Sequence, residues 1–198
     1  MKNTISKIAV TCALACMCSM YAQFSHAESG HAFGLSYSSG FKDVVDWHDQ
    51  NLLVEDDFSW PIGISYRYIN YLTDGLRMDV GVGPMSLIAG DISYYDVPLQ
   101  LTLGYSFLKD TAFSPYIRAG AAYHLNDGDY VQTSADFGFL GAIGAEIGKS
   151  RVKFFAEIAV DTAEATFSTA EGPSIYIRQS SRQDITVLDV HFTAGVKF

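Results

Sequence analysis

From residue 28 onward, apolar and polar residues alternate at every second position in segments of about 8–14 residues. Eight segments carry the pattern: His31–Ser39, Trp60–Tyr71, Leu76–Ile88, Tyr95–Leu108, Ser114–Leu125, Ala135–Gly148, Arg151–Thr162 and Asp184–Phe198. The fourth is the clearest. Val97, Leu99, Leu101, Leu103, Tyr105 and Phe107 take one face, and Asp96, Gln100, Thr102, Gly104 and Ser106 take the other. In the seventh, Val152, Phe154, Ala156, Ile158 and Val160 alternate with Lys153, Phe155, Glu157, Ala159 and Asp161. Period 2 predicts strands with one apolar face. Period 3.6 is hard to find after residue 27, and no window of 18 apolar residues occurs there, so no membrane-spanning helix is expected.

The connections alternate in length. Leu72-Thr73-Asp74-Gly75, residues 109–113 and Lys149-Ser150 are short, and Asp-Gly is a turn signal. Longer loops fall at roughly 40–59, 89–94, 126–134 and 163–183. Three short turns at one end and four long loops at the other predict an all-β chain: an eight-stranded antiparallel up-and-down transmembrane β-barrel. A soluble β-sandwich would show similar alternation in shorter strands, whereas these segments reach or exceed the roughly 9–11 residues of a tilted membrane strand. Aromatics gather near segment ends, among them Tyr66, Tyr68, Tyr71, Tyr94, Tyr95, Tyr105, Phe107 and Phe192, as interfacial girdles require.

Composition sharpens this picture. Of 198 residues, 48% are hydrophobic and only 18% charged, below the roughly 25–35% of a soluble surface. The net charge of -9 leaves no basic stripe for nucleic acid. The first residues pair Lys2 and Lys7 with an apolar run, and Ser25-His26-Ala27 offers small residues for cleavage. Residues 1–27 are expected to be a signal peptide and 28–198 the barrel domain, with Ala22 as the alternative cleavage site. Cleavage removes Cys12, Cys16 and Cys18 and leaves a mature chain of 171 residues with a net charge of -11 and no cysteine. Neither a zinc–thiolate centre nor a cysteine nucleophile fits that chain.

With the apolar face turned outward, charged residues point into a lumen only wide enough for side chains. Arg67, Arg77, Asp79, Arg118, Glu146, Lys153, Glu157, Asp189, His191 and Lys197 are expected to form an ion-pair network there, because isolated buried charge is costly. His124, near Asn126 and Asp127, is a second polar candidate at the end of the fifth segment, and Glu146, Glu157 and Asp161 could be drawn as a carboxylate site. HExxH, GxSxG, Walker and dinucleotide motifs are absent, and no cofactor or metal is expected. The first long loop carries Asp43, Asp46, Asp49, Glu55, Asp56 and Asp57, with Trp47, Leu52, Leu53, Phe58 and Trp60 among them. Its acids suit bridging cations near lipopolysaccharide, and its apolar residues suit docking on lipid or protein.

The closing stretch His191-Phe192-Thr193-Ala194-Gly195-Val196-Lys197-Phe198 and the segment Ser114–Tyr123 resemble the small outer-membrane β-barrel proteins of Gram-negative bacteria. That group includes the barrel domain of outer membrane protein A and the opacity-type adhesins. The resemblance implies a monomer in the cell outer membrane with both termini in the periplasm. It also implies that Phe198 serves as the signal read by the barrel assembly machinery. Outer-membrane lipids, lipopolysaccharide and a host or surface ligand are the implied partners. A structural or surface-interaction barrel without catalysis is the leading expectation. The alternatives are a narrow channel or small-solute or hydrophobic carrier, and a lipid A deacylase. In the deacylase group a serine follows the catalytic histidine by two residues; here His124 is followed at that distance by Asn126, and no glutamate can be matched.

Overall fold

The computed structural model describes residues 29–52, 62–88, 94–128, 131–132, 137–149, 151–169, 182–187 and 189–198. Eight strands close a barrel: β1 (Ser29–Ser38), β2 (Ile62–Tyr71), β3 (Leu76–Ile88), β4 (Tyr94–Ser106), β5 (Phe113–Gly128), β7 (Phe137–Ile147), β8 (Lys153–Asp161) and β11 (Val190–Lys197). All neighbours are antiparallel, and β1 seals against β11 with Phe33 opposite Val196 and Tyr37 opposite Phe192. Phe198 extends that seam. Its N–H donates to the His31 carbonyl at 2.9 Å, and its ring stacks on Phe33 at 5.8 Å. Gly75, at φ 81, takes the left-handed conformation that ends the first short turn.

The expected faces are present. Leu101, Leu103, Ile143, Phe154 and Leu35 stand outward and exposed, while Gln100, Thr102, Glu157 and Asp161 are buried inward. Phe139, 80% exposed, shows how fully the wall is turned out. A continuous apolar belt of this extent far exceeds the few hundred Å² of apolar patch that a water-soluble monomer exposes.

The long-loop end departs from the expected picture of four open loops. Ser39–Asn51 forms a helix, α1, directly after β1. Ser38 is its N-cap, with Oγ accepting from the Phe41 N–H at 3.2 Å. Phe41, Val44, Val45 and His48 recur at helical spacing on one buried face. That face packs on a second sheet made of β6 (Val131–Gln132), β9 (Glu164–Thr169) and β10 (Arg182–Thr186), in the order β10-β9-β6. Phe41, Val44, Trp47, Leu52, Phe167 and Val187 belong to the resulting core. The loops therefore build a cap with its own apolar interior.

Two expectations are corrected by the cap. The last segment is not one strand from Asp184 to Phe198: residues 182–186 pair with β9 in the cap, and the barrel strand begins at Val190. Trp47 and Leu52 are not displayed for docking but buried against Phe167 and its neighbours. Leu53, Glu55, Asp56, Asp57, Phe58 and Trp60 lie outside the described residues, as do residues 1–27 with the cleavage sites and cysteines.

Candidate functional site

The lumen is layered from the short-turn end to the cap. At the bottom, Lys197 Nζ lies 2.7 Å from Glu146 Oε2 and donates to the Tyr71 hydroxyl at 2.9 Å. Lys153 approaches the same carboxylate at 3.9 Å. Arg77 then joins Glu146, at 3.2 Å, to the middle layer. Adjacent inward positions on β3 place Arg77 beside Asp79, and its Nε and Nη2 donate to the two carboxylate oxygens at 2.8 and 2.5 Å. Arg77 is completely buried and also lies 4.4 Å above the Tyr116 ring centre.

Glu157 on β8 is the hub of the middle layer. Arg118 on β5 grips it in a fork, with Nε 2.9 Å from Oε2 and Nη2 2.7 Å from Oε1. Arg67 on β2 donates to Oε2 at 2.6 Å, and the Tyr116 hydroxyl donates to it at 2.8 Å. Arg118 reaches sideways to Gln100 and Thr102, and Gln100 in turn donates to the Gly83 carbonyl. Arg67 rests over the Phe155 ring at 5.0 Å. Gly144 makes the layer possible: a Cβ there would stand 2.6 Å from the Tyr116 hydroxyl.

The upper layer joins three residues that the sequence places on separate segments. His124 Nδ1 lies 3.0 Å from Asp96 Oδ2, and Nε2 lies 3.2 Å from Asp161 Oδ2. All three side chains are buried. Asp161 also accepts from the Ala163 N–H at 3.0 Å, at the bend where β8 leaves the barrel for β9. The missing signal was geometric: Asp96, His124 and Asp161 are all inward positions near the long-loop end of their strands.

Of the residues expected in one network, Arg67, Arg77, Asp79, Arg118, Glu146, Lys153, Glu157 and Lys197 are brought together. His191 faces the lumen, buried, but no described carboxylate pairs with it. Asp189 is a correction. It is exposed, with φ 46, and receives the Ser39 hydroxyl at 3.4 Å on the cap side. Its backbone turns there before β11 starts, so the side chain never enters the lumen.

Above these layers, His48, Tyr94, Phe167 and Trp47 form an aromatic cluster with neighbouring ring centres 5.4–6.1 Å apart. His48 Nδ1 donates to the Val44 carbonyl at 2.8 Å, and burial lowers its pKa from the ordinary histidine value. On the cap surface, Asp43, Asp46, Asp184 and Asp189 line a polar cleft of about 370 Å³ between α1 and β10. Asp46 is bridged there by Lys42.

No family model and no curated protein matches the sequence. Solved structures do. The outer membrane protein OprG from Pseudomonas aeruginosa is 13% identical, with a TM-score of 0.56 over 86% of this chain and 94% of that one. The outer membrane protein AlkL, determined in DMPC lipid bilayers, is 12% identical, with a TM-score of 0.53 over 87% of this chain and 89% of that one. At such identities the likeness lies in architecture: the chain has the fold of the small eight-stranded outer-membrane barrels.

Proposed function

We propose that this protein resides in the outer membrane as a sealed pedestal that presents its cap at the cell surface for interaction with other molecules. The apolar belt and the fold shared with outer-membrane barrels support the location. The packing of α1 against the cap sheet carries the role. Loops that gate a pore have to open, whereas these share a core containing Trp47, Phe41 and Phe167. Below the cap, the guanidinium groups of Arg67, Arg77 and Arg118 with their carboxylates fill the narrow lumen. The acidic cleft between α1 and β10 is a polar surface that the cap offers a partner. The reading contains no catalytic step. Both ring nitrogens of His124 face carboxylates, and the chain has asparagine where the deacylase pattern needs serine.

Two measurements test this. Refolded protein in planar bilayers should give no unitary conductance; discrete current steps would replace the sealed pedestal with a narrow channel. On intact cells, a membrane-impermeant amine reagent should label the exposed Lys42, and Lys42→Arg should remove that labelling. Lys42 protected on intact cells and labelled only after lysis would invert the proposed orientation.

A further inference from the structure

Positive charge is strongly sorted along this molecule. The chain has 13 Lys and Arg residues, and five of them, Lys109, Lys149, Arg151, Lys153 and Lys197, line one cavity at the short-turn end of the barrel. Its volume is about 740 Å³, within the ~300–1,000 Å³ range of small-ligand clefts. Three separate parts of the chain bring the charges there. Lys109 comes from the turn after β4, Lys149 and Arg151 from the turn between β7 and β8, and Lys153 and Lys197 from adjoining strand ends.

Gathering like charges in a concave site raises their mutual repulsion, and the carboxylates nearby are fewer than the cations. Asp110 is the one acidic side chain on the cavity wall among the described residues, and the Phe198 carboxylate is the other anion there. Glu146, buried beneath it, takes Lys197 and Lys153 but is already bonded to Arg77. Lys109 sits over the Tyr71 ring at 4.5 Å, which holds its ammonium at the cavity wall. Lys149 and Arg151 are exposed and have no ion-pair partner among the described residues. A cleft walled by one sign of charge concentrates the opposite ion.

We propose that this basic cavity is a binding site for a phosphate group, carried by a soluble phosphate ester or by an anionic phospholipid headgroup. Five cations exceed what the Asp110 and Phe198 carboxylates would neutralise. A tetrahedral phosphate presents several oxygens at once to ammonium groups arriving from different strands, and a guanidinium such as Arg151 can grip two of them. The cavity opens at the mouth of the barrel, where both a periplasmic solute and the inner leaflet's headgroups would reach it if the membrane reading is right.

The test uses the whole refolded barrel in phosphatidylcholine nanodiscs, with backbone amide NMR of Ala112, Gly148 and Arg151 as reporter. Glycerol 3-phosphate is titrated in one arm. In the other, phosphatidylglycerol replaces part of the phosphatidylcholine. A saturable shift with glycerol 3-phosphate, weakened at least about tenfold in Lys149→Ala/Arg151→Ala and by added salt, assigns a soluble ester. Shifts seen only with phosphatidylglycerol, and lost in the double variant, assign the headgroup. Absence of both, or shifts that persist unchanged in the double variant, overturns the proposal. Both substitutions are on an exposed turn outside the lumen network, so heat-modifiable gel migration should stay normal. Abnormal migration of the wild type itself would count against the membrane reading and not against this site.

Discussion

Replacing Glu157 by glutamine tests whether the lumen is a paired and dry network. The carboxylate accepts four hydrogen bonds, from Arg67 at 2.6 Å, Arg118 at 2.9 and 2.7 Å, and Tyr116 at 2.8 Å. Glutamine keeps the shape but has one oxygen, and its amide would point two N–H donors at guanidinium groups. Arg67 would then depend on Asp79, which is 3.9 Å away. Arg118 would keep only neutral contacts to Gln100 and Thr102. Breaking a buried pair by removing one partner costs ~3–5 kcal/mol. With a urea slope of ~2 kcal/mol per molar, the unfolding midpoint should fall by ~1.5–2.5 M. Urea titration in lipid vesicles, read by heat-modifiable gel migration, measures it. Removing both charges in Arg118→Gln/Glu157→Gln should recover part of the loss, because one guanidinium no longer stands unpaired. A midpoint change below ~0.5 M for Glu157→Gln, the size of a solvated surface pair, would show that water already screens the lumen and would refute the sealed reading.

Four further outcomes follow from the same contacts. Gly144→Ala drives a Cβ to 2.5 Å from Tyr116 Cζ and should cost ~1–3 kcal/mol in the same titration. Phe167→Ala empties the middle of the cap core, at ~3–5 kcal/mol locally, and should red-shift Trp47 emission and expose α1 to protease with normal barrel migration. His124→Ala leaves Asp96 and Asp161 buried without their shared imidazole, so limited proteolysis should show the cap loosened and urea titration a destabilised barrel. His48 has a pKa lowered in the folded cap, so the unfolded cap binds the proton more tightly. The His48 contribution to cap stability should be full above the ordinary histidine pKa of about 6.5 and decline as pH falls below it. Protease sensitivity of the cap across that range should flatten in His48→Gln.

Much of the barrel can be read from the sequence, because a strand with lipid on one side and a polar lumen on the other repeats the same choice at every second residue. Leu101 and Leu103 face out and Gln100 and Thr102 face in for that single reason. The lumen partners follow from the same rule, since an inward charge has few places to go. Asp189 escapes it because the chain turns before β11, and period 2 cannot report where a strand starts. The cap is harder. Phe41, Val44, Val45 and His48 do carry helical spacing, but over only thirteen residues and beside acids such as Asp43 and Asp46 that read as a solvated loop. Its β-sheet pairs residues 182–186 with 164–168, and nothing local in either stretch announces the other. Trp47 looked available for docking because its partner, Phe167, lies 120 residues further along the chain.

The join between barrel and cap gives the upper layer its meaning. Asp161 is the last residue of β8, and β9 begins only three residues later. One oxygen of Asp161 faces His124 in the lumen, and the other accepts the Ala163 N–H at the bend. The Thr162 hydroxyl accepts from the Phe139 N–H across the rim at 2.9 Å, and the Thr162 N–H returns to the Phe139 carbonyl at 3.1 Å. The path into the cap is thus fixed from both faces of the wall. Asp96 on the far side of His124 is two residues from Tyr94, whose ring enters the aromatic cluster with Phe167. The imidazole therefore ties β4 and β8 together at the ends nearest the cap core, where Tyr94 enters it and β9 follows with Ala165 and Phe167. A buried charge pair is often no more stabilising than apolar residues of the same volume, although removing one partner is costly. Here the imidazole holds the upper ends of β4 and β8 to β5, directly below Tyr94 and the start of β9.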